Sequence, residues 1–184
     1  MGDSIKDGRG GSQPPVFPGW YQPLPKRKPN RLKQFDYSNP GAYFVTICTN
    51  KRQNLFGSID VGAALSRPLL SPLGIIVEEE INRLSKVYSV MYVDCYVIMP
   101  NHIHMIIVIG ASDYGRLGAA PTTNITLSQI VGGLKRQISL RAEFSPWQKS
   151  FHDHIIRNDA DYEHIAQYIQ NNPLSWEDDC YYNM

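Results

Sequence analysis

Cysteine is scarce in this chain. Cys48, Cys95 and Cys180 are odd in number, widely spaced, and form no C-x-x-C pair. That argues against a disulfide framework and a cysteine zinc site, and fits a reducing cytoplasm. No apolar run reaches the roughly 18 residues a membrane span needs. No opening stretch couples positive charge to an apolar core, so no secretory signal is visible. A strong net charge is also missing, because 18 Lys/Arg against 17 Asp/Glu leave +1. The charge is nevertheless unevenly spread. Residues 1–35 carry seven Lys/Arg against two Asp, or +5, and the remainder carries 11 against 15, or −4. A basic tail on a mildly acidic body suits an anionic partner, although such a tail can also be merely solvated.

What is present is globular: 42% apolar residues, 11% aromatic, and length for one domain plus a tail. Residues 1–30, with "DGRGGSQPPVFPGWYQPLPKRKPN", hold too little apolar surface to fold alone, and a flexible basic tail is predicted there. Trp20 and Tyr21 could still dock on the body. The ordered domain is then 31–184. Asn39-Pro40-Gly41 signals a turn, and 42–49 is rich in β-branched and aromatic residues, a strand. Residues 51–72 read as a connection. Leu73, Ile76, Val77, Ile81, Leu84 and Val87 recur at helical spacing. "VMYVDCYVIM" and "HIHMIIVI" flank the Pro100-Asn101 turn as a hairpin. Residues 110–124 form a polar loop. "TLSQIVGGLKRQISLRA" is a second helix, weakened by Gly132-Gly133 at about 1 kcal/mol each. "SFHDHIIR" is a fourth strand, and a last helix runs over 158–172, capped by Asn158 or Asp159 and stopped by Pro173. The order β-α-β-β-α-β predicts an α+β, ferredoxin-like antiparallel sheet with two helices on one face. The extra C-terminal helix must find the free face or an edge.

Two histidines interrupt the most apolar strand. His102 and His104 are at i and i+2, hence on one face, about 6.6 Å apart along the chain. They can converge on one metal or form a hydrogen-bonded core pair. A third ligand must come from elsewhere. Asn172, at the negative end of the last helix, offers a side-chain oxygen. Tyr168 lies four residues earlier on the same helical face, either as half-buried packing or as a functional group.

"DYSNPGAYFVTICTNKRQNLFG", "PNHIHMIIVI", "WQKSFHDHIIRN" and "YIQNNP", in this order, resemble the REP-associated tyrosine transposases, single-tyrosine members of the HUH class acting on single-stranded DNA. The resemblance covers roughly residues 31–176. It implies a ferredoxin-like fold, the histidine pair at His102 and His104, the nucleophile at Tyr168, and the third metal ligand at Asn172. It further implies a divalent Mg or Mn ion, cleavage and rejoining of DNA near short palindromic repeats through a 5′-phosphotyrosine, and a monomer or homodimer. Tyrosine ordinarily titrates near pH 10 and needs activation. His154 and His164 are candidates for the base, or are ordinary packing or solvated histidines.

Single-stranded DNA binding needs cations and stacking surfaces. Within the body Lys135, Arg136, Arg141, Lys149 and Arg157 are the candidates, each otherwise an ordinary surface charge. Trp147 fits a core position. Two other functions compete. A non-catalytic nucleic-acid binder on a ferredoxin-like sheet needs no metal. A metal-dependent hydrolase with a water nucleophile leaves no protein–DNA link.

Overall fold

The computed structural model describes residues 35–59, 68–110 and 125–182. The basic tail expected at 1–30 and nearly all of the loop expected at 110–124 lie outside these residues. Among the described residues six strands and three α-helices follow one another: β1 (Gly41–Cys48), β2 (Gly57–Ser58), β3 (Leu69–Leu70), α1 (Pro72–Val87), β4 (Met91–Ile98), β5 (His102–Ile109), α2 (Leu127–Ala142), β6 (His152–Ile156) and α3 (Asp159–Asn171). Four strands form one antiparallel sheet in the order β4-β5-β1-β6. This is the ferredoxin-like arrangement. Residues 51–72 are more than a connection, because β2 and β3 pair as a short ribbon, Gly57 with Leu70 and Ser58 with Leu69.

The sheet separates two apolar layers. Tyr43, Val45 and Ile47 of β1 and Ile103, Met105 and Ile107 of β5 meet Val77, Ile81 and Leu84 of α1 and Leu127, Ile130, Leu134 and Ile138 of α2. On the opposite face Ile106 packs on Ile165 and Ile169 of α3, with Phe44, Val97 and Val108 beside them. Central strand β5 is thus covered on both sides. That explains why it reads as a nearly continuous apolar run instead of an alternating one. The side chains of His102 and His104 fall on the α3 face, in phase with Ile106.

Local chemistry fixes each helix. Ser71 accepts the Gly74 N–H at 3.1 Å and Pro72 stands in the first turn of α1. Thr126 and Gln129 form a capping box on α2. Asn158 caps α3 through the Asp161 N–H at 2.8 Å. A β-bulge between Val93 and Cys95 turns Asp94 out, and Tyr162 of α3 donates its hydroxyl to that carboxylate. Gly74 is required by close approach, since a Cβ there would lie 2.1 Å from the Phe56 carbonyl oxygen. Phe56 N–H in turn donates to Pro100 O at 2.9 Å, so α1, the ribbon and the β4–β5 turn are locked together. Among the described residues no helix is long and apolar enough to cross a membrane.

The two glycines of α2 differ. Nothing lies within 4 Å of a Cβ added at Gly132, whereas one at Gly133 would meet the Tyr88 hydroxyl at 2.4 Å. Gly132→Ala is therefore expected to stabilise the fold by about 1 kcal/mol, read as a raised urea midpoint, whereas at Gly133 the Tyr88 hydroxyl must be displaced, which opposes that gain.

Candidate functional site

The site lies where β5 begins, beneath the C-terminal end of α3. His102 and His104 are fully buried, and their ring centroids are 4.4 Å apart. His104 sits opposite Thr46 in the β1–β5 register, and its Nδ1 is 2.9 Å from Thr46 Oγ1. His102 Nδ1 is 2.8 Å from Asn101 Oδ1. Ile165 and Ile169 anchor α3 to the sheet, and the same helical face brings Tyr168 over the histidines. The Tyr168 hydroxyl is 3.3 Å from His104 Nε2, and its ring meets Phe44 edge-on at 6.1 Å. Tyr168 is still 40% exposed, so the phenolic oxygen faces an opening and is not sealed in the core.

The chain does not leave the site after α3. It continues as a 3-10 segment, Asn172–Asp178, with Pro173 in its first turn, and folds back. Asn172 is buried, and its Nδ2 donates to Asp179 Oδ2 at 2.7 Å. The same carboxylate oxygen is 3.5 Å from the Tyr168 hydroxyl. The Tyr181 ring lies tilted against His102 with centroids 4.5 Å apart, and the Arg52 guanidinium lies 4.9 Å over the Tyr181 ring while donating to Cys180 O at 2.8 Å.

The electrostatics follow from burial. Desolvation pushes His102 down to about 3. The Arg52 charge acts in the same direction, and the Asn172 amide, near the ring but outside hydrogen-bond geometry, opposes it. His104 is held well below the ordinary histidine range by burial first and His102 second, against the Asp179 carboxylate. Both rings are thus neutral, the form in which imidazole ligates a metal. Burial, then the Asp179 charge, raises Tyr168 above the usual tyrosine range, so its hydroxyl is protonated at neutral pH.

Whether these residues suit a metal can be judged from unpaired atoms. His102 Nε2 and Asn172 Oδ1 are buried without any hydrogen-bond partner. Ligand atoms of His102, His104 and Asp179 lie within 4.8 Å of one another. Two neutral imidazoles, an amide oxygen and a carboxylate suit a divalent ion, and two buried acceptors with no donor are otherwise costly. The donor set fits.

The four residues that the sequence assigns to the nucleophile and the cation, His102, His104, Tyr168 and Asn172, therefore come together. Asp179 was not legible as part of the group, and neither were Thr46, Asn101 and Arg52. The hydroxyl of Tyr168 is reached by His104 and Asp179, whereas His154 Nε2 faces Asp161 at 2.9 Å. The candidate DNA-contacting cations are dispersed. Lys135, lowered to about 8 chiefly by burial, donates to the carbonyls of Gln148 and Ser150. Arg141 pairs with Glu79 and Glu80. Arg136, Lys149 and Arg157 are exposed. Trp147 is half-buried against Phe56.

This fold is the one seen in a REP-associated tyrosine transposase bound to a REP hairpin. That structure superposes with a TM-score of 0.56 at 21% identity, covering 79% of this chain and 73% of the other. The sequence resemblance and the fold therefore agree. The chain belongs to one family with an uncharacterized protein of Haemophilus influenzae, to which it is 33% identical over 171 residues, 85% of this chain and 93% of that one. No protein-family model matches the chain.

Proposed function

We propose that the chain is a metal-dependent tyrosine transposase, a strand transferase that cleaves and rejoins single-stranded DNA beside a hairpin through a 5′-phosphotyrosine. The observation that carries this is the 3.3 Å approach of the Tyr168 hydroxyl to His104 Nε2, beside two buried acceptors lacking donors. The four-segment sequence resemblance and the shared fold point the same way.

His102, His104 and Asn172, with Asp179 beside them, would hold the divalent ion, Mg²⁺ or Mn²⁺. When bound, that ion neutralises charge on the scissile phosphate. Tyr168 is the nucleophile. Its oxygen forms a bond to phosphorus as the bond to the 3′ oxygen breaks, leaving a 5′-phosphotyrosine and a free 3′-hydroxyl. The phenolic proton must leave, and the Asp179 carboxylate, 3.5 Å away, is placed to take it. One phosphodiester is exchanged for another, so a second 3′-hydroxyl can reverse the step without ATP. Of the five candidate cations, Arg136, Lys149 and Arg157 are exposed to meet phosphates, while Lys135 and Arg141 serve the fold first. The basic segment 1–30 is a further DNA contact in this scheme.

The test uses a single-stranded hairpin oligonucleotide labelled at its 3′ end, incubated with the protein and Mn²⁺. The expected product is a label that migrates with denatured protein and maps to the Tyr168 peptide. Cleavage with no label on the protein would indicate a water nucleophile. Binding without cleavage, unchanged by chelator, would indicate a non-catalytic binder.

A further inference from the structure

We infer that Asn101 is a positioning residue for His102: it fixes the imidazole as the Nδ1–H tautomer and so presents Nε2 as a lone pair to the cation. The inference rests on the reading of the site as a cation centre, and it concerns a residue outside that ligand set.

Asn101 is fully buried in the β4–β5 turn. Its Nδ2 spends both hydrogens on carbonyls from distant parts of the chain, Tyr181 O at 2.7 Å and Arg52 O at 3.2 Å. Its own carbonyl accepts from Thr49 N–H at 2.9 Å and Thr49 Oγ1 at 3.0 Å, so its backbone is pinned as well. Rotating the amide by half a turn would set Oδ1 against two carbonyl oxygens, which is repulsive. Oδ1 must therefore face His102 Nδ1, 2.8 Å away. An amide oxygen only accepts, so Nδ1 carries the hydrogen. A neutral imidazole carries a single hydrogen, and with Nδ1 holding it none remains for Nε2, which makes no hydrogen bond. Nε2 is left as a lone pair.

His104 is held differently. Its Nδ1 meets Thr46 Oγ1, a hydroxyl that both donates and accepts, and that contact leaves either tautomer open. The protein thus contains one histidine whose ligating nitrogen is decided before any ion arrives, and one that adapts. Neighbours that orient a ligating imidazole typically change metal affinity 10–100-fold when removed.

The decisive measurement uses the full-length, metal-free protein with ¹⁵N-labelled histidine. Imidazole correlations are expected to show His102 with a protonated Nδ1 and a pyridine-type Nε2. Asn101→Ala is then expected to lose that bias and to weaken Mn²⁺ binding by about 10–100-fold in calorimetric titration. A protonated Nε2 in the unsubstituted protein overturns the role of Asn101, whether or not the variant folds. A folded Asn101→Ala protein with unchanged tautomer and Mn²⁺ affinity overturns it too. An Nδ1–H tautomer without any Mn²⁺ binding overturns instead the cation reading, and with it the purpose assigned to Nε2.

Discussion

Tyr168→Phe is expected to abolish the covalent protein–DNA adduct and to lower strand cleavage by about 10³-fold or more, the scale seen when a covalent nucleophile is removed. The substitution deletes one oxygen. That oxygen contacts His104 Nε2 at 3.3 Å and Asp179 Oδ2 at 3.5 Å, both long for hydrogen bonds and at a partly exposed position. The ring contacts to Phe44 and His104 survive in phenylalanine. Stability should therefore change by no more than about 1 kcal/mol. Hairpin binding, measured by fluorescence anisotropy, should stay near that of the parent protein. The separation of binding from cleavage is the informative part. Full cleavage by the phenylalanine variant would sink the assignment of the nucleophile and favour attack by water. A loss of binding and of fold together would mean that Tyr168 is chiefly a packing residue.

The parts of this site that could be read from the sequence are those encoded locally. His102 and His104 are two residues apart on a strand, so their shared face follows from strand geometry alone. Tyr168 and Asn172 are four apart on a helix, which fixes their shared face just as directly. The caps of α2 and α3 are similarly local, three residues from donor to acceptor. What escaped detection depends on chain reversal. Asp179 sits in "WEDDC", where three consecutive carboxylates look alike, and only the fold-back after Pro173 selects one of them. Asn101 reads as an ordinary turn residue until Arg52 and Tyr181, 49 and 80 residues away, supply its acceptors. The same blindness affected the cations. Arg141 looks like a free surface charge because Glu79 and Glu80 stand on another helix, and Lys135 because Gln148 and Ser150 lie past the helix end. The β2–β3 ribbon was missed for a related reason. It has two residues per strand, too few for any periodicity, and is held by Phe56 and the close packing at Gly74.

Acidification of the metal-free protein between pH 7 and pH 5 is expected to destabilise it strongly, and the sign follows from burial. His102 is held at about 3 in the fold against an ordinary histidine value near 6.5. Between those values the unfolded chain binds a proton that the native state refuses, so stability rises with pH and is lost as pH falls below about 6.5. From pH 7 to pH 5 His102 alone accounts for about 2 kcal/mol, and His104, displaced in the same direction, adds a loss of the same sign. Against a typical total of about 5–15 kcal/mol this is a large fraction. Carboxylates held low in the fold, such as Asp36 and Asp161, lose their contribution at lower pH, so this window isolates the histidines. Urea unfolding in chelator at pH 7, 6 and 5 measures the slope, and His102→Gln should flatten it. Divalent ion should steepen it. Mn²⁺ at 100 times its Kd adds about 2.7 kcal/mol to the fold, and this too fades as protons compete for the imidazoles. A stability flat across this window would mean that water reaches the two rings, and the enclosed, neutral ligand pair on which the site depends would not exist.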